Sequence, residues 1–263
     1  MTLHRRLAAA RRGDAGTTLT ELLVTLMITG VLVAAVATMA IGFTRTTGEV
    51  TARQNQVDDA RMASERMTKL IRTAVRPSQL ITCATGSTCA ATDAFITATP
   101  TTMKFYANLN NPNNTVGPSQ VTYTVATTGP DAFVLIEKVQ IPDTATPSSS
   151  TGYSFCAAEV SGASADCKAR LKVTRLATGV VIDATHSLFT YYSNDPSAAT
   201  GGSAQVGVGV PLTPEEIDKL LSVEVSTTVK SSSPTKPKPT TYIQRVLLPN
   251  SQAVLRPGTE TTP

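Results

Sequence analysis

An uncharged run of twenty-two residues near the start of the chain limits what the chain can fold into. It extends from Leu22 to Phe43 and reads LLVTLMITGVLVAAVATMAIGF. At about 1.5 Å per residue, a helix of this length reaches about 33 Å, and the hydrocarbon core of a bilayer is about 30 Å thick. We therefore predict that residues 17–43 form a helix that crosses a membrane.

The charges on either side of the run predict its orientation. Four arginines and one aspartate precede it, so that the first sixteen residues carry +3 of the formal net charge of +4, whereas the stretch after it mixes signs. Positive charge is retained in the cytoplasm, which predicts a single-pass protein with a cytoplasmic N-terminus and an extracytoplasmic C-terminal domain. Only about +1 remains for the other 247 residues, so composition does not favour nucleic acid as a partner.

The four cysteines agree with an exported domain, because an even number of cysteines outside the cytoplasm indicates disulfides. Three pairings are possible. We favour Cys83–Cys89 and Cys156–Cys167, since each would close a loop rich in small residues. Zinc is the alternative, but the only histidines, at positions 4 and 186, are not adjacent to the cysteines, and we predict no metal and no cofactor.

The helix is predicted to continue over residues 44–76 as an amphipathic segment outside the membrane. Pro77 would end it at Arg76. Its apolar stripe, at steps of three and four residues, is Val50, Val57, Ala60, Ser64, Met67, Leu70, Ile71 and Ala74. We expect this stripe to pack on a sheet formed by the rest of the chain.

Residues 77–263 are predicted to form a β-rich globular domain. Eight segments alternate in polarity or are apolar between turn residues, namely 94–99, 102–109, 120–128, 132–141, 170–176, 187–193, 221–230 and 241–248. The last two would form a hairpin. One long N-terminal helix followed by an antiparallel sheet gives an α+β fold.

An acidic residue, Glu21, lies directly before the uncharged run. One interpretation is that its carboxylate simply lies among the lipid headgroups, because a charge is tolerated better there than at the bilayer centre. The other is that it pairs with a cation at the same depth. Cleavage after Gly16 would create such a cation, the α-amine of Thr17, whose ordinary pKa is about 7.7–8.0. That amine could belong to the same chain or to a neighbouring subunit.

These N-terminal residues resemble the type IV pilin and type II secretion pseudopilin superfamily. The features in common are a short basic leader (1–16), Gly16, "TTLTELLV" with Glu21 at the fifth position after the glycine, and the apolar run. The resemblance implies cleavage between Gly16 and Thr17 by a prepilin peptidase, N-methylation of Thr17, and subunit registry through Glu21. It implies as partners the peptidase, other pilin or pseudopilin subunits and the inner membrane. The family usually has Phe or Met where this chain has Thr17.

A second resemblance lies in the closing strands. "LFTYYSND", "LLSVEVSTTV" and "TYIQRVLLPN" are similar to the end of J-type pseudopilins and W-type minor pilins, which are larger subunits near the filament tip. The implied function is that of a minor pilin or pseudopilin, assembled into a type IV pilus or a type II secretion pseudopilus.

Other interpretations of the sequence are supported by fewer residues. No catalytic motif is present, so we do not predict an enzyme. We interpret four further residues as loop residues rather than as catalytic or calcium-binding groups: Asp183 with His186, and the acids Asp143 and Asp195.

One alternative function is a secreted or singly anchored binding domain, cut by an ordinary signal peptidase after "AVA" (35–37). Another is DNA capture by a cluster in the last hairpin, formed by Lys230, Lys236, Lys238 and Arg245.

Overall fold

The computed structural model describes residues 18–80, 93–148, 152–194, 203–231 and 237–248. In these ranges a long N-terminal helix precedes nine strands, which pair antiparallel, so the α+β arrangement is confirmed. The helices are α1 (Leu19–Ile71), α2 (Ala165–Ala169) and α3 (Pro214–Asp218). The strands are β1 (Phe95–Ala98), β2 (Thr102–Ala107), β3 (Ser119–Val125), β4 (Val134–Gln140), β5 (Leu171–Thr178), β6 (Phe189–Asn194), β7 (Ser203–Val206), β8 (Leu220–Val229) and β9 (Thr240–Leu247).

The chain divides into two compact units at a boundary inside α1, between Gly48 and Glu49. The first unit contains the N-terminal part of α1. The second unit, which we call the domain, contains the rest of α1 and all nine strands.

Within the domain, α1 packs on the sheets, as the amphipathic pattern predicted. Its buried residues are Ala52, Gln56, Ala60, Ala63, Ser64, Met67, Thr68, Leu70 and Ile71. Several of these residues are small, and others are polar. The hydroxyl of Ser64 donates to Oγ1 of Thr227 on β8 at 2.8 Å, and that of Thr68 donates to Oε1 of Gln244 on β9 at 3.2 Å.

Two details of the helix prediction are wrong. Val50 and Val57 do not belong to the buried stripe, since they are 50% and 38% exposed, whereas Ala52 and Gln56 are buried. The helix also ends at Ile71 rather than Arg76. The chain leaves the helix because the N–H of Val75 donates to the carbonyl of Tyr106 at 3.0 Å, which ties this segment to β2 instead.

The strands form two sheets, not the single sheet that was predicted. The first has the order β1-β2-β3-β4-β5, and the second has the order β7-β6-β8-β9. The β8–β9 hairpin is confirmed, with Val229 paired to Thr240 and Ser222 paired to Leu247. Strand β7 and the short helices α2 and α3 were not predicted. The two sheets share one core, where the rings of Tyr123 (β3) and Phe189 (β6) lie 6.5 Å apart.

A buried carboxylate joins α1 to the first sheet. Glu137 on β4 is 1% exposed. It accepts hydrogen bonds from Arg66 on α1, through Nε at 3.1 Å and Nη2 at 3.0 Å, and from the hydroxyl of Tyr123 at 2.9 Å. Since a buried charge must be paired, this contact fixes which side of the helix faces the sheet.

Candidate membrane-anchoring and assembly site

The N-terminal part of α1 presents an apolar surface that no described part of the chain covers. All residues from Thr18 to Thr46 are exposed. The large apolar side chains between Leu19 and Phe43 are exposed by 52% at Ile41 to 79% at Leu19 and Met39. By length and composition this helix can cross a membrane. An exposed apolar surface of this size is unfavourable in water and favourable in lipid.

Five threonine hydroxyls along and just after this segment donate to carbonyls of the helix itself. Thr25 donates to the carbonyl of Leu22 at 2.8 Å, and Thr38 donates to that of Ala35 at 2.8 Å. Thr44, Thr46 and Thr47, which follow the uncharged run, bond in the same way to carbonyls three or four residues earlier. Lipid tails offer no hydrogen-bond partner, so these internal bonds make the hydroxyls compatible with an apolar surrounding.

Glu21 lies in the first turn of α1 and is exposed. Its main-chain N–H donates to Oγ1 of Thr18 at 3.3 Å, so Thr18 caps the helix and Glu21 is the third residue of the first turn. The sequence "TLTE" is the pattern of a capping box, a signal that the sequence analysis missed. A carboxylate is also favourable at the positive end of a helix. Among the described residues, no cation forms an ion pair with Glu21.

A row of small residues runs along a different face of the same helix. Gly30, Ala34, Thr38 and Gly42 recur every four residues. A Cβ added at Gly30 or Gly42 would meet nothing within 4 Å, so the fold of this chain does not itself require glycine there. At 3.6 residues per turn, the centre of the row is about 120° around the helix from Glu21. Rows of this kind allow helices to approach closely in membranes.

Several predicted site residues lie outside the described residues. They are Gly16 and Thr17 at the predicted cleavage point, and Cys83 and Cys89 of the first predicted disulfide. Cleavage, methylation and that disulfide therefore stay predictions.

The second predicted disulfide is present. Cys156 and Cys167 are bonded, with their Cα atoms 6.0 Å apart. The loop they close is attached to the first sheet, because Nε2 of Gln140 on β4 donates to the carbonyl of Cys156 at 2.6 Å. Asp143 accepts from the N–H of Cys156 at 3.1 Å, so this acid holds the loop.

The remaining polar candidates have structural partners. Asp183 accepts from the N–H and hydroxyl of Thr185, both at 2.7 Å, and from Nδ1 of His186 at 2.9 Å. The hydroxyl of Thr185, followed by His186, lowers the pKa of Asp183. This is the geometry of a tight turn rather than of a catalytic pair. In the ranges that the structure describes, no group of three or more potential metal ligands occurs.

The basic cluster of the last hairpin is only partly brought together. The guanidinium of Arg245 lies 3.4 Å from the ring centroid of Tyr192, and its Nε is 3.7 Å from a carboxylate oxygen of Glu224. Arg245 is thus engaged on the outer face of the second sheet. Lys230 and Lys238 are exposed, and Lys236 lies outside the described residues, as does Asp195.

Comparisons with protein-family models, with curated proteins and with solved structures found no match to this chain.

Proposed function

We propose that this chain is a structural subunit of a membrane-rooted filament, a minor pilin or pseudopilin that a prepilin peptidase processes at Gly16. The observation that carries the proposal is the combination found in α1. An exposed, uncharged helical run begins directly after Glu21, and the same helix continues into the domain, where it is held by the ion pair of Arg66 with Glu137. A domain that only needed an anchor would not require a carboxylate at the edge of lipid.

In this proposal residues 17–43 hold the subunit in the membrane before assembly and then contact neighbouring subunits. Glu21 and the row from Gly30 to Gly42 lie on different faces of the helix, so one subunit can touch two different neighbours. Contacts between unlike faces generate open helical assemblies when the rotation between subunits does not close a ring, whereas a two-fold dimer uses the same face twice. The proposed pairing of Glu21 with the amine of Thr17 on a neighbour would then set the axial stagger.

The experiment compares two variants of Glu21. Glu21→Gln removes the charge but retains a residue that a capping box accepts, whereas Glu21→Ala removes both. If Glu21 sets subunit registry, both variants enter the membrane fraction as the wild type does and both are depleted from sheared filaments. Glu49→Gln, on the same helix beyond the uncharged run, is the matched control and should assemble normally.

Three results are informative. Normal assembly of both variants would contradict the registry role. Loss of assembly by Glu21→Ala alone would assign Glu21 to helix capping. Depletion of both variants from the membrane fraction itself would show that Glu21 acts in insertion instead.

A further inference from the structure

Three exposed side chains of the domain, which we call the helix-entry rim, take no part in its core: Phe133, Lys230 and Lys238. Phe133 is 45% exposed, and both lysines are exposed. Neither lysine forms an ion pair with an acid among the described residues. Core packing and salt bridges within the described part of the domain therefore do not account for the presence of an aromatic ring and two lysines at these positions.

The segment 178–180 brings Phe133 and Lys230 to the same place. The N–H of Val180 donates to the carbonyl of Phe133 at 2.9 Å, and the N–H of Lys230 donates to the carbonyl of Gly179 at 2.8 Å. Gly179 has a φ of +69°, and a Cβ on it would lie 2.3 Å from the carbonyl oxygen of Lys230. Glycine is thus required for this close approach.

The rim lies at the end of the domain where α1 enters. Thr240, two residues after Lys238, donates through its hydroxyl to Oε1 of Gln56, which lies near the start of the packed part of α1, at 3.5 Å. Farther along both elements, Thr68 contacts Gln244. The chain therefore enters the domain beside the rim and runs away from it.

Phe133 has a backbone conformation that is unusual for a bulky residue. Its φ is +60°, in the left-handed region that favours glycine and asparagine. Hydrogen bonds fix this conformation on both sides, since its N–H donates to the carbonyl of Ala126 at 2.7 Å and its carbonyl accepts from Val180. Phe133 is nevertheless 45% exposed. An aromatic residue that keeps a disfavoured conformation and stays only partly buried points to a contact outside the domain.

The sequence segment that carries the two lysines of the rim is basic. From Val225 to Thr259 the sequence contains three lysines, two arginines and no acid. The acid on the turn before Phe133 is Asp131, and it forms an ion pair with Arg175. The positive charges of Lys230 and Lys238 are therefore not balanced by that turn.

We propose that the helix-entry rim contacts the headgroups of anionic lipids, with the ring of Phe133 at the level of the headgroups and Lys230 and Lys238 beside the lipid phosphates. Aromatic rings favour the membrane interface, and lysines near an anionic leaflet are attracted to it. The uncharged run ends at Phe43, nine residues before the buried Ala52. Nine residues of chain span at most about 32 Å, so this connection keeps the domain near the membrane surface. The proposal rests on the membrane anchoring proposed above. A nucleic-acid duplex would account for the lysines but not for the exposed phenylalanine, because its bases are already stacked on one another.

The chain contains no tryptophan, so one introduced tryptophan reports on its own surroundings. The full-length Phe133→Trp variant is reconstituted into phosphatidylcholine vesicles that contain brominated phosphatidylcholine, with and without phosphatidylglycerol. We expect brominated lipid to reduce the tryptophan emission about twofold when phosphatidylglycerol is present, and less at high salt. Adding Lys230→Gln and Lys238→Gln should remove most of this quenching.

The matched control is Ile243→Trp, placed on the outer face of β9 at a residue that is 61% exposed. Its emission should not respond to brominated lipid. Equal emission with brominated and ordinary lipid at position 133 would overturn the proposal, and so would a response to duplex DNA without a response to lipid. Flotation of the same vesicles tests anchoring separately. A chain that does not float with vesicles contradicts the membrane anchor, whereas a chain that floats without quenching contradicts only the rim contact.

Discussion

Replacing Arg66 by methionine would leave the carboxylate of Glu137 buried with one remaining hydrogen-bond donor, the hydroxyl of Tyr123. The native carboxylate is 1% exposed and receives the Nε and Nη2 groups of Arg66. In the folded protein the hydrogen bond to Glu137 raises the pKa of Arg66, so the arginine is held in its charged form. Arg66→Met therefore removes the only cation that balances this acid among the described residues.

The expected loss of stability follows from the exposure of the two partners. Breaking a fully buried ion pair by removing one partner costs about 3–5 kcal/mol. The side chain of Arg66 is 46% exposed, so water near Glu137 can replace part of the lost interaction. We expect Arg66→Met to lower the free energy of unfolding by about 2–3 kcal/mol. Adding Glu137→Met removes the unpaired charge and should restore more than half of the loss.

The assay is urea unfolding of the full chain in detergent, followed by tyrosine fluorescence. The matched control is Arg61→Met, which removes an exposed ion pair with Glu65 from the same helix and should unfold close to the wild type. Two results would refute the reasoning. One is an Arg66→Met midpoint equal to that of Arg61→Met, and the other is a double variant that is less stable than Arg66→Met alone.

Three further predictions concern the domain. Gly179→Ala should lower stability by about 2 kcal/mol, because φ is +69° and the new Cβ would meet the carbonyl of Lys230; unchanged urea unfolding would contradict this. Burial, and secondly Glu137, raises the pKa of Tyr123. The stability that depends on the neutral hydroxyl of Tyr123 is therefore fully present below the unfolded pKa of about 10, and it is lost as the pH rises above that value. Tyr123→Phe should therefore reduce the loss of stability between about pH 10 and pH 12, and an identical pH profile would refute the assignment. Replacing Cys156 and Cys167 by serine should lower stability by about 2–3 kcal/mol while leaving the circular dichroism of the sheets intact; free thiols in the oxidised wild type would contradict the bond itself.

Local signals in the sequence were sufficient for much of the fold. The uncharged run predicted the first part of α1, and the Pro/Lys loop between two alternating segments predicted the β8–β9 hairpin. The close spacing of Cys156 and Cys167 predicted their disulfide. Each of these features is decided by residues close together in the chain, so periodicity, turn residues and spacing are informative.

Features that depend on distant residues were not predicted. The division into two sheets follows from which strands pair. Strand β6 pairs directly with β8, although β7 lies between these two strands in the sequence. The buried face of α1 was partly misassigned because Val50 and Val57 are more apolar than Gln56. The helix nevertheless buries Gln56, and Ser64 on the buried face forms a hydrogen bond with a strand residue. The ion pair of Arg66 with Glu137 joins residues 71 positions apart, and no local pattern connects them. The capping pattern at Thr18 was visible in the sequence but was overlooked.

The mature N-terminus tests the central claim most directly. The measurement is mass spectrometry of the N-terminal peptide of the protein recovered from membranes and from sheared filaments. The account predicts that the chain begins at Thr17 in both fractions, since Gly16 is the proposed cleavage residue. A chain that begins at Thr38, after "AVA", or one that retains its arginine-rich leader in filaments, would contradict the proposal that this protein is a processed filament subunit.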